Sequence, residues 1–165
     1  MPLADDLFEA TTILPEQARQ VYPLVRLFHP AMSLDQWLAF SRWWARMPPH
    51  QGGLLAIKDR RGYVHAIFSY RVDFHLRHGP VLRLSDLIVG RLPGQIIDLA
   101  VVRKAEWLAF GVGCRVVVFE LTQSKDGNID PANRSALEKA GYVPCSTSFL
   151  RGKCVAASAI PSFPR

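Results

Sequence analysis

The apolar positions of this chain fall into runs of helical and strand period that follow one another along its length. Leu7 to Ile13 reads as a short strand. Pro15-Glu16-Gln17 then opens a helical pattern that puts Val21, Leu24, Val25 and Phe28 on one face before His29-Pro30 stops it. A second helix starts at Ser33, with Gln36 three positions on as a capping box, and carries Trp37, Leu38, Phe40, Trp43 and Trp44 up to Pro48-Pro49. Leu54-Leu55-Ala56-Ile57, a turn at Asp59-Arg60-Arg61-Gly62 and the stretch Tyr63 to Leu76 read as a hairpin. In its second arm Ala66, Phe68, Tyr70, Val72 and Phe74 share a buried face, while His65, Ser69, Arg71, Asp73 and His75 share a wet one with Ile67. The turn His78-Gly79-Pro80 leads into Val81 to Val89. There Leu82, Leu84, Asp86 and Ile88 alternate, so an acid is expected on a mostly apolar face.

Gly90-Arg91-Leu92-Pro93-Gly94 breaks that strand, and a long helix follows from Gln95 to Val112, striped by Ile97, Val101, Ala105 and Leu108. Gly111 and Gly113 close it. Arg115 to Leu121 is then a β-branched strand, which the intervening helix makes parallel to the preceding strand in a βαβ crossover. Asp130-Pro131 starts a short helix through Leu137, Gly141 ends it, and Thr147 to Arg151 is expected to return as a strand. Residues 1–152 then make one α/β domain, with 153–165 as a C-terminal tail.

Composition agrees with one domain: 165 residues, 49% hydrophobic, are enough for a single core and too few for two. Twenty Lys and Arg against fourteen Asp and Glu give +6, which points to an anionic partner: a phosphate-bearing cofactor, nucleic acid or acidic lipid. The cations are spread without a run of five or six, and no RNP-like pattern is present, which argues against nucleic acid. Trp37, Trp43 and Trp44, at helical spacing, read as core rather than as a platform for stacked bases. Cys114, Cys145 and Cys154 are odd in number without a C-x-x-C pair, so no disulfide framework is expected and a reducing, cytoplasmic setting is. An acidic start and the lack of any apolar run near roughly 18 residues argue against a signal peptide and a membrane span. Asp73-x-His75-x-x-His78, with His65, has metal-ligand residue types at loose spacing. A polar face lining a cleft or meeting solvent is expected there, and no metal.

Written in order, the elements run β-α-α-β-β-β-α-β-α-β. This order resembles the GNAT superfamily of acyl-CoA-dependent N-acyltransferases over roughly Leu7 to Arg151. Two stretches carry the resemblance further. Ser85-Asp86-Leu87-Ile88-Val89 stands where the family ends its fourth strand before a phosphate loop and its long third helix, and Leu137-Glu138-Lys139-Ala140-Gly141-Tyr142 resembles its EK-x-G-F helix ending.

The resemblance implies a GNAT-like mixed, mostly antiparallel sheet with one parallel crossover and flanking helices. It also implies transfer of an acetyl or other acyl group from acyl-CoA to the amine of a small-molecule or peptide acceptor, without a metal, and a homodimer formed through the last strands. Main-chain groups of Leu87, Ile88 and Val89 would meet pantetheine, Arg91, Gly94, Gln95 and Ile96 the pyrophosphate, and Asn133 the cofactor as well. Phosphates suit such a place because a helix N-terminus offers free N–H groups and a favourable dipole, and glycine allows close approach.

Asp86 is the candidate base, an acid on a mostly apolar strand face near the expected splay of two parallel strands; pairing with Arg83, Arg71 or another cation is the other reading. A main-chain N–H near Ile88 or Val89 would hold the oxyanion. The chain departs from the family pattern twice. Q/R-x-x-G-x-G/A is here Arg91-Leu92-Pro93-Gly94-Gln95-Ile96, with Ile at a usually small position, and a position that is often Tyr is Leu137. A hydrocarbon donates no proton, so two readings stand: the leaving thiolate takes its proton from water, or the chain is a noncatalytic GNAT-like module that binds a ligand or partner.

Overall fold

The computed structural model describes residues 7–90, 96–123 and 129–146. In chain order the elements are β1 (Phe8–Thr12), α1 (Ala18–Phe28), α2 (Leu34–Ala45), β2 (Gly52–Asp59), β3 (Val64–His75), β4 (Gly79–Val89), α3 (Ile96–Gly111), β5 (Val116–Phe119) and α4 (Pro131–Lys139). The sheet order is β1-β2-β3-β4-β5, antiparallel throughout except for the parallel pair β4 and β5. The expected element order is present through α4. The strand expected at 147–151 and the tail at 153–165 lie outside the described residues.

Helix ends follow local chemistry. Ser33 and Gln36 form the reciprocal capping box of α2, with Gln36 N donating to the Ser33 hydroxyl at 3.2 Å and Ser33 N donating to Gln36 Oε1 at 2.8 Å. Asp130 accepts from Ala132 N ahead of Pro131, and Gly141 ends the α4 segment at φ +89°. α1 starts at Ala18, three residues later than Pro15 suggests. Gln17 offers no side-chain cap, and Gln17 N and Ala18 N instead close turns on the Leu14 and Pro15 carbonyls.

Each face of the sheet has its own core. On one, Leu55, Phe68, Tyr70, Leu82, Leu84 and Val89 pack against Ala100, Val101, Ala105 and Ala109 of α3. On the other, Leu54, Ala56, Ile67 and Ile88 pack under Val21 and Val25 of α1 and Trp37 and Trp44 of α2. Trp37 is 1% exposed, donates from Nε1 to the Ala18 carbonyl at 2.6 Å and stacks on Phe40. Burying a side chain of this size stabilises by about 3 kcal/mol, so α2 is fixed by its aromatics rather than offering them to a ligand. Among the described residues no helix is long and apolar enough to cross a membrane.

Candidate functional site

β4 changes face at Asp86. Ser69 pairs with Ser85 and Ile67 with Ile88, so Asp86 and Leu87 together oppose Phe68. This is a β-bulge, and Asp86 takes φ +53°, the only positive φ at a non-glycine among the described residues. The extra residue inverts the parity of everything after it. Leu82, Leu84, Leu87 and Val89 belong to the α3 side, whereas Ile88 joins the α1–α2 side. The expectation that Leu82, Leu84, Asp86 and Ile88 share an apolar face is therefore corrected: alternation holds only as far as Ser85, and the bulge turns Asp86 out to solvent.

The Asp86 carboxylate accepts a 2.6 Å hydrogen bond from the Ser69 hydroxyl. Ser69, expected on a wet face, is fully buried. It lies between Phe68 and Tyr70, whose rings belong to the α3 side, so its hydroxyl points to the α1–α2 side. Arg71 and Arg83, the expected cationic alternatives for Asp86, are engaged elsewhere. Arg71 grips Asp73 through Nε and Nη2 at 2.7 and 3.1 Å; Arg83 spans Asp73 at 2.9 Å and Glu120 at 2.7 Å. Ser85 completes the lattice by donating to Glu120 Oε2 at 2.6 Å.

The lattice is acid-sensitive. Partial burial pushes the Asp73 carboxyl up, but the hydrogen bonds and charges of Arg71 and Arg83 outweigh it and hold it below its ordinary value. Desolvation likewise raises Glu120, and the Ser85 hydroxyl with the Arg83 guanidinium brings it lower overall. Both groups bind protons less readily in the folded than in the unfolded chain. Their contribution is fully present above the unfolded carboxyl range, about pH 4, and is lost as pH falls through the lower folded values. Solvent around Arg71 and Glu120 limits it to about 1 kcal/mol. In thermal unfolding followed downward from neutral pH, Arg83→Gln should flatten the acid drop of the wild type. Identical acid dependence in the two proteins would remove the lattice as its cause.

β5 ends at Phe119, and Glu120 N makes a last 2.8 Å bond to the Leu84 carbonyl, while β4 runs on to Val89. Gly90 N donates to the His65 carbonyl of the β3 segment at 2.7 Å, so by strand alternation the Val89 N–H faces the side that β5 has left. A small cleft lies there, lined by Leu87 and Val89 of β4, Asp98, Val101 and Val102 of α3, Phe119 of β5, and Asn133, Ala136 and Leu137 of α4. The first turn of α3 therefore reaches the cleft through Asp98.

The cleft unites Leu87, Val89 and Asn133 from the sequence reading and adds Leu137. It leaves out Ile88, whose backbone opposes Ile67 and whose side chain packs on the other face. Ile96 begins α3; Arg91, Gly94 and Gln95 lie outside the described residues. The cleft lies on the α3 side of the sheet and the Asp86 carboxylate on the α1–α2 side. Glu120 escaped the sequence reading because only the parallel register, Leu84 against Phe119, brings it beside Ser85.

The loose His and Asp constellation does not assemble. A register irregularity at Ile57 and Lys58 displaces His65 from the Ser69 face, and its Nε2 lies 2.8 Å from Asp59 Oδ2 with the ring edge-on to Phe8. The His75 and His78 rings stack on each other, and Asp73 is held by two arginines. Tyr142 packs edge-on against Phe119 and bonds Glu106; burial first, then the Glu106 charge, pushes its hydroxyl well above its ordinary value.

No family model and no curated protein sequence matches this chain. Solved structures do. Glucosamine-6-phosphate N-acetyltransferase from Arabidopsis thaliana is 14% identical, with 88% of this chain and 98% of that one covered at a TM-score of 0.63. An aminoglycoside 6'-N-acetyltransferase from Acinetobacter baumannii is 15% identical, covering 90% and 99% at 0.65. An aminoglycoside N-acetyltransferase in complex with CoA is 12% identical, covering 89% and 95% at 0.66. At such identities the likeness is one of fold: the chain has the GNAT acetyltransferase fold, as its element order led one to expect.

Proposed function

We propose that the protein is an N-acyltransferase that moves an acetyl or other acyl group from acyl-CoA to an amine on a small molecule or peptide. The observation that carries this reading is the cleft that opens where β5 parts from β4. Its walls suit a thioester arm. Leu87, Phe119 and Leu137 offer apolar surface to methylene groups, Val89 offers a main-chain N–H, and Asn133 offers an amide. The N-terminus of α3 is suited to the pyrophosphate, with Arg91, Gly94, Gln95 and Ile96 the expected contacts ahead of it. Neighbours of the same fold that carry acetyl transfer in their names, one of them in complex with CoA, support the same donor.

In the reaction the amine nitrogen attacks the thioester carbonyl, the new N–C bond forms, the C–S bond breaks, and CoA leaves as thiolate. Asp86 takes the proton from the acceptor ammonium, and the Val89 N–H receives the developing oxyanion. Leu137 lines the cleft and supplies no proton, so the thiolate is protonated from water. The same Leu137 favours a second reading, a noncatalytic module that binds a ligand in this cleft. Release of CoA thiol from acetyl-CoA, followed over a panel of amino acids, polyamines, amino sugars and peptide N-termini, separates the two. Acceptor-dependent thiol release is expected; cofactor binding without release across the panel would favour the module.

A further inference from the structure

Ser41 and Ser69 are both fully buried. The Ser69 hydroxyl reaches out of the core to Asp86 at 2.6 Å. Asp86 is also where a non-glycine backbone turns left-handed, at a cost of about 1 kcal/mol. The two features act together. The bulge lifts the carboxylate out of the apolar row, and a short charge-assisted bond from a side chain that cannot move fixes where that carboxylate points.

We infer that Ser69 is a positioning residue: its buried hydroxyl holds the Asp86 carboxylate in the orientation in which it takes a proton from an acceptor ammonium on the α1–α2 side of the sheet. The inference rests on the acyl-transfer reading above. The step moves one proton from the ammonium nitrogen to an Asp86 oxygen, freeing the nitrogen lone pair for attack; the Ser69 O–H stays intact. A base oriented by a third group is the arrangement that nucleophilic transfer needs. Arg71, Asp73, Arg83 and Glu120 are the charged groups of the neighbouring lattice, and each has an ionic partner within it; His75, further along the same face of β3, stacks on His78. α1 covers the adjacent Ile88 with the apolar Val21, Leu24 and Val25. The Ser69 hydroxyl is thus the direct partner of the Asp86 carboxylate.

Ser69→Ala should lower kcat about tenfold, a part of the roughly hundredfold or more that a positioned base supplies, and leave KM for acyl-CoA unchanged because Ser69 is not in the cleft. Ser69→Thr, which keeps the hydroxyl, should retain most of the activity, and the near-isosteric Ser69→Cys should fall between. In the free protein at neutral pH the side-chain carboxyl carbon signal of Asp86 should move in Ser69→Ala and stay near the wild-type position in Ser69→Thr, because only the first loses the 2.6 Å hydrogen bond. Equal kcat in Ser69→Ala would overturn the assignment, as would an unmoved Asp86 carboxyl signal. If no acceptor is acylated, the acyl-transfer reading fails, while that signal still decides whether Ser69 holds the carboxylate.

Discussion

Asp86→Asn is expected to lower kcat by about a hundredfold to ten-thousandfold, the range that a positioned general base supplies, while leaving the fold and acyl-CoA affinity intact. The substitution is chosen for its physics. Asn adopts positive φ more readily than most residues, so the bulge at φ +53° should tolerate it. Its carbonyl oxygen can still accept from Ser69. Shape, backbone and hydrogen bond persist; only the capacity to take a proton is lost. Asp86→Ala would confuse the result, because it removes the hydrogen bond that steadies the strained backbone. Steady-state kinetics across pH, with melting temperature measured in parallel, distinguishes the two effects. A full-turnover Asp86→Asn protein with an unchanged pH profile would remove Asp86 from the chemistry.

Where local chemistry dictates local structure, the chain is readable. The Ser33 and Gln36 box, the Asp130-Pro131 start of α4 and the Ala66-to-Val72 alternation of β3 are all present as their residue types demand. Leu87, Val89 and Asn133, which line the cleft, were named through the resemblance to the GNAT superfamily and not through any pattern in the residues themselves. The geometry of the carboxylates was not. A period-two reading presumes one residue opposite one, and nothing in Leu84-Ser85-Asp86-Leu87 announces that Phe68 faces two residues. The bulge is set by how both cores pack, since Leu84 and Leu87 are wanted on one side and Ile88 on the other. Glu120 depends on the register of a parallel pair, and His65 on a slip between β2 and β3. Such facts belong to strand pairing, to which a single strand's pattern is blind. The excess positive charge divides similarly: Arg71, Arg83 and Arg134 are consumed in ion pairs rather than held for an anion.

Ala136→Trp should abolish acyl-CoA binding without unfolding the protein. Ala136 lies in the cleft wall on α4 between Asn133 and Leu137, and α4 has no fully buried residue, so the helix can carry a large side chain. An indole there would fill the space between α4 and Val89. Overpacking that would strain a closed core is relieved here into an open cleft, leaving the ligand rather than the fold displaced. The expected loss is a hundredfold or more in affinity, about 2.7 kcal/mol. The claim on which everything else rests is that this cleft receives an acyl-CoA, and titration calorimetry of acetyl-CoA into wild type, Asp86→Asn and Ala136→Trp tests it most directly. Saturable one-to-one binding by the first two and none by the third is the predicted result; no binding by the wild type, or equal binding by Ala136→Trp, would contradict it.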